Sequence, residues 1–123
     1  MYNSFTELEV WKVSKKFRMN INQLCKTFPK EEKYLLKDQL IRASRSICAN
    51  IAEGHGRFHY QENIQYCRIA RGSAYECLDH LICAKENNYI LEGELKTLST
   101  DLTRIFKLLN GYINFLKKQK ARK

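Results

Sequence analysis

The segment Leu91–Leu116, LEGELKTLSTDLTRIFKLLNGYINFL, decides the fold class. Leu91, Leu95, Leu98, Leu102, Ile105, Leu109, Tyr112 and Leu116 recur at alternating steps of four and three residues. That is the 3.5-residue seam of a helix packed lengthwise against others. Phe106 and Ile113 widen the stripe, so this helix is expected to touch a second neighbour.

Three more amphipathic segments precede it. The first opens at Ser4-Phe5-Thr6-Glu7, where Ser4 and Glu7 have capping-box spacing, and carries Leu8, Trp11, Phe17, Ile21, Leu24 and Phe28 up to a stop at Pro29. The second is expected to start at Pro29, with Glu31 and Glu32 at its positive end. Leu36, Leu40, Ala43, Ile47 and Ile51 form its apolar stripe, and Gly54 and Gly56 are read as its stop. The third covers roughly Tyr60 to Asn87, with Tyr60, Ile64, Cys67, Ala70, Ala74, Leu78 and Leu81 inward and Asn87 and Asn88 as left-handed stop residues. Short connections make successive helices antiparallel neighbours. The expectation is an all-α, up-down-up-down four-helix bundle over residues 1–116, followed by a basic, flexible tail over 117–123.

Composition agrees. One proline and five glycines in 123 residues suit helices better than sheets and turns. No apolar run reaches the length that spans a bilayer and no signal-peptide pattern opens the chain, so a soluble, cytoplasmic protein with no membrane partner is expected. In that compartment the five cysteines read as reduced core residues. Cys77, His80 and Cys83 are spread around their helix rather than converging, so no metal site is expected.

The chain carries a net charge of +9, of which Lys117, Lys118, Lys120, Arg122 and Lys123 supply +5. Such a balance favours nucleic acid or another polyanion as partner, the plainer alternative being a solubilising surface. Arg45, Arg57, Arg68 and Arg71 join the tail as candidate phosphate contacts.

Polar residues cluster in the second helix. Gln39, Arg42, Ser46, Asn50 and Glu53 lie within about 80° of one another at 100° per residue. Gly72, Ser73 and Glu76 on the third helix form a small-small-acid set that would admit a close backbone. The two stripes are expected to face each other, with Arg42 or Arg57 paired to Glu53 or Glu76. This reads as a register-fixing polar network, the alternative being a ligand or catalytic site using Glu53 or Arg57. Against catalysis, no Ser, Thr or Cys sits beside a histidine at a nucleophile spacing, and no phosphate-binding glycine loop is present. No catalytic residue and no cofactor are expected.

The runs QLIRASRSICANIAEGHGR (Gln39–Arg57) and IARGSAYECLDHL (Ile69–Leu81) resemble the four-helix bundle proteins encoded by intervening sequences in bacterial 23S ribosomal RNA genes. Phe5, Leu8, Val10, Trp11 and Phe28-Pro29 support the likeness, which covers about residues 5 to 115. The resemblance implies a homopentamer shaped as a tapered barrel. It also implies kinship with the accessory variability proteins of diversity-generating retroelements, which bind nucleic acid and a reverse transcriptase. The motif positions are Ser46, Asn50, Ile51, Ala52, Glu53, Gly54, Arg57, Gly72, Ser73 and Glu76, and no catalytic role comes with them. The functional expectation is a non-enzymatic homo-oligomer that binds RNA or DNA. The alternative is a protein-interaction scaffold or an accessory subunit of a nucleic-acid enzyme such as a reverse transcriptase.

Overall fold

The computed structural model describes residues 4–32 and 35–122. Four helices carry the fold: α1 (Glu9–Cys25), α2 (Leu36–Gly56), α3 (Tyr60–Glu86) and α4 (Glu92–Ala121). Each packs on the next and α4 closes back onto α1, while among the described residues the backbones of the diagonal pairs stay apart. The pairing is antiparallel throughout. Ser46 meets Ser73 and Gly54 meets Asn63 between α2 and α3; Asn63 meets Tyr112 and Arg71 meets Asn110 between α3 and α4. Glu9 reaches Arg104 near one end of α1, and Phe28 packs on Tyr89 at the other. The molecule is the up-down-up-down bundle that the four periodic stripes imply.

The core is built from the residues of those stripes. Phe17, Ile21, Leu40, Ile47, Ile51, Ile64, Leu81, Leu102, Ile105 and Leu109 are fully buried, with Cys25, Cys48, Cys67 and Cys77 filling between them. Of the α4 repeat, Leu98 to Leu116 are buried or partly buried, whereas Leu91 stands 73% exposed ahead of the first turn. Phe106 reaches beyond the seam to stack on Tyr75 at 4.1 Å.

Several helix ends differ from the sequence reading. Ser4 caps a separate 3-10 turn, Phe5–Glu7, by accepting a hydrogen bond from the Thr6 amide; the chain then extends at Leu8 and α1 begins at Glu9. Pro29 does not start α2. It leads into a 3-10 turn over Lys30–Glu32, and Glu32 is the working group: one carboxylate oxygen accepts the Leu36 amide at the head of α2, the other accepts the Tyr89 hydroxyl. That links the α1–α2 and α3–α4 connections. Lys33 and Tyr34 lie outside the described residues.

Of the two stop asparagines, Asn88 takes the left-handed conformation (φ 61°) and Asn87 does not. The Tyr89 amide bonds back to the Ala84 carbonyl and Asn88 to Lys85, the paired bonds that close a helix around a left-handed residue. At the end of α2, Phe58 rather than a glycine is left-handed (φ 61°), and α2 continues through Gly54 to Gly56. α4 likewise runs past residue 116 to Ala121, so Lys117, Lys118 and Lys120 ride on helical turns.

Gly54 has a different task from stopping the helix. It is buried, and a Cβ there would lie 2.8 Å from both Asn63 Oδ1 and Tyr66 Cβ. The missing side chain lets α3 approach α2. Gly72, expected to do this from the other side, is exposed with open space around it.

Candidate nucleic-acid interface

The polar stripes of α2 and α3 do face each other, but as three local groups. Ser46 and Ser73 share a hydrogen bond of 2.8 Å, and the Asn50 amide donates to both Ser46 O and Ser46 Oγ. Satisfying these partly buried groups avoids a cost of about 1–3 kcal/mol for each orphan. Arg57 forms a second group, with Glu53 at 3.1 Å, Glu62 at 3.6 Å and the Tyr66 hydroxyl at 2.7 Å. Tyr66, and after it Glu53 and Glu62, push the Arg57 guanidinium further toward its charged form. Glu76 forms the third with His80 at 3.1 Å, not with an arginine. Arg42 makes no ion pair among the described residues; with Gln39, Ser46 and Glu76 it lines a small polar notch.

The arginines singled out from the sequence therefore differ in availability. Arg57 is committed to carboxylates, Arg68 bonds Gln65, and Arg71 bonds the Asn110 side chain. Arg45 is exposed beside α1. Lys117, Lys118 and Arg122 are exposed at the end of α4, Lys120 bonds Gln61 at the start of α3, and Lys123 lies outside the described residues. Burial pushes the Cys67 and Cys77 thiols up to about 12 and Cys25 to about 11, so they stay protonated and unreactive near neutrality. Among the described residues no group of three or more His, Cys, Asp or Glu gathers to hold a metal ion, and no helix is long and apolar enough to cross a membrane.

A second basic surface, on α1, is one the sequence reading passed over. From Val10 to Lys26 the chain carries Lys12, Lys15, Lys16, Arg18 and Lys26 and no carboxylate. Val10, Ser14, Phe17, Ile21 and Cys25 turn inward, so helical geometry sends Lys12, Lys15, Lys16 and Met19 outward, with Trp11 and Arg18 half-buried on the flank between them and the core. Arg18 and Arg45 stand on either side of the α1–α2 seam and line two adjoining grooves along it. Below them, burial raises the Cys48 thiol while Arg18 and Lys15 pull it the other way. The signal was present in the sequence as a run without carboxylates from Val10 to Lys26, but the apolar positions of that segment drew the reading toward packing.

The fold and this surface define a small antiparallel helical bundle whose first helix carries cations and no carboxylate from Val10 onward. The model of the 23S rRNA-intervening sequence protein family matches residues 6–111, and the chain belongs to that family. A solved structure from Bacteroides thetaiotaomicron, described as a protein with unknown function from the S23 ribosomal protein family, superposes with a TM-score of 0.79. It is 29% identical in sequence, and the match covers 85% of this chain and 95% of that one. A search of curated proteins finds no significant match.

Proposed function

We propose that this protein is a non-enzymatic nucleic-acid-binding module that works as a homo-oligomer, a pentamer as the family resemblance implies. The observation that carries the reading is the run of Lys12, Lys15, Lys16 and Arg18 on α1 with no carboxylate from Val10 to Lys26, Arg18 sharing a groove with Arg45 across the α1–α2 seam. Phosphate contacts of this kind bind without regard to base sequence and release condensed counterions. Five chains of charge +9 carry +45 together, so assembly multiplies the field. The family name, with its reference to 23S rRNA, is in keeping with a nucleic-acid partner.

Filter binding of a labelled oligonucleotide across a salt series tests the proposal. If Lys12, Lys15, Lys16, Arg18 and Arg45 each neutralise a phosphate, log K should fall with log salt at a slope of about −3.5 on a single strand. Between 50 and 200 mM salt that is a loss of about 100-fold. Absence of binding at low salt would refute it. A scaffold role toward another protein would then take over, supported by the apolar groove between α1 and α4 lined by Leu24, Leu91 and Leu98.

A further inference from the structure

The basic face has an aromatic centre. Trp11 is half-buried and lines two open grooves, one on each side of it. On the α2 side the groove has a volume of about 400 Å³, with Phe5 and Trp11 as walls, Arg18 and Arg45 at the rim, and Cys48, Ala49 and Ala52 as the floor. The floor is low because those α2 positions are small. On the outer side Trp11 borders a groove shared by Thr6, Lys12, Lys15, Lys16 and Met19. Phe5 meets the indole edge-on at 5.2 Å and fixes it, while the Lys15 ammonium lies 5.6 Å from the ring centroid. A duplex offers such a surface only its phosphates. An unpaired strand also offers base faces, which stack on aromatic rings whatever their sequence.

We propose that the α1–α2 face is a single-strand site: an unpaired RNA or DNA segment lays a base against Trp11 in the groove floored by Cys48, Ala49 and Ala52, with flanking phosphates on Lys12, Lys15, Lys16, Arg18 and Arg45. The inference rests on the nucleic-acid reading above and adds to it which strand is bound and where. Geometry favours a strand over an acidic peptide. A pocket with aromatic walls and a shallow apolar floor suits a flat ring, and the surrounding cations suit phosphates spaced along a backbone. Carboxylate side chains would engage the cations and leave the groove empty.

Trp11 is the only tryptophan in the chain, so its emission reports on the site without a label. The experiment titrates the full-length protein with oligo(dT) and oligo(U) 12-mers and with a 12-base-pair duplex. Tryptophan emission and the anisotropy of end-labelled strands are followed in parallel. Both single strands should quench the emission at the concentrations where anisotropy rises, and the duplex should bind more weakly with little quenching. Trp11→Ala should lower single-strand affinity by at least about fivefold while leaving the duplex unchanged. Because Trp11 also packs against the core, Trp11→Phe serves as a check on folding; it keeps an aromatic face and should retain most of the affinity. The triple variant Lys12→Ala, Lys15→Ala and Lys16→Ala should make the salt slope shallower by about 2.

Single-strand binding by anisotropy with unchanged tryptophan emission, and with unchanged affinity in the triple variant, would overturn the site but leave nucleic-acid binding standing. Duplex binding as tight and as strongly quenching as single-strand binding would also overturn it. No binding of either form at low salt would remove the nucleic-acid reading itself.

Discussion

Replacing Gly54 by alanine separates the packing role of this glycine from a role in ending a helix. A Cβ at this position would sit 2.8 Å from Asn63 Oδ1, 2.8 Å from Tyr66 Cβ and 3.2 Å from the Asn63 carbonyl. The first atom can swing away, but only by disturbing the 3.1 Å hydrogen bond from the Asn63 amide to the Tyr112 hydroxyl. The other two are fixed to the α3 backbone, so α3 must shift. Forced overpacking costs about 1–3 kcal/mol. Loss of the Asn63–Tyr112 bond adds about 1 kcal/mol. Against this, exchanging a helical glycine for alanine gains about 1 kcal/mol. The balance is a net loss of about 2 kcal/mol, or a fall of about 8 °C in Tm for a domain of this size. Gly72→Ala and Gly111→Ala are the controls, because each lies in a helix with nothing within 4 Å of the added Cβ. Both should raise Tm by a few degrees through the propensity gain alone. Calorimetric melting at one fixed protein concentration checks all three, since self-association would otherwise move the transition. If Gly54→Ala melts as high as the controls, the close approach of α3 is not what this residue provides.

Ser14 is buried in α1 and its hydroxyl has no hydrogen-bond partner among the described residues, so Ser14→Ala should raise the unfolding free energy by about 1 kcal/mol in urea titration. Phe58 holds a left-handed backbone conformation with its ring 84% exposed. Phe58→Asn, a residue that tolerates φ above zero, should gain about 0.5–1 kcal/mol by the same assay. Stability should fall in alkali. The folded-state pKa values of Cys25, Cys67 and Cys77 are raised above the ordinary 9.0, to about 11, 12 and 12, so their protonated forms are favoured by folding. That contribution is complete below pH 9 and is lost as the pH rises toward those values, at about 1.4 kcal/mol per pH unit for each thiol. Cys77→Val should flatten the decline measured by urea unfolding between pH 8.5 and 10.5; an unchanged slope would contradict the assignment.

The helices were legible because burial repeats with the helical period. Leu98, Leu102, Ile105, Leu109, Ile113 and Leu116 fall every three or four residues and are buried in the bundle. The facing of Ser46 and Ser73 followed from their sharing the inner sides of consecutive helices. Helix ends were read less well, because the competing signals are weak and local. Pro29 fits a first helical position, yet the carboxylate of Glu32, bridging the Leu36 amide and the Tyr89 hydroxyl, sets where α2 begins. No pattern within the segment itself could announce a partner 57 residues away.

The basic face was also present in the chain, in the absence of carboxylates from Val10 to Lys26. Charge counted over the whole chain drew attention to the C-terminal lysines instead. Which cations remain available is a question of neighbours: Arg57 spends its charge on Glu53 and Glu62, while Arg18 and Arg45 line one groove across the α1–α2 seam with no ion pair to either among the described residues.

By itself, then, the sequence determined four helices, their antiparallel order and the apolar stripes that bind them, because these depend on period and connection length. Tertiary structure decided the rest. It made Gly54 a point of helix contact instead of a stop, put Phe58 in the left-handed turn, and brought Trp11 beside Arg18, Arg45 and the small residues of α2. Those outcomes depend on distances between segments far apart in the chain, which a one-dimensional pattern does not contain.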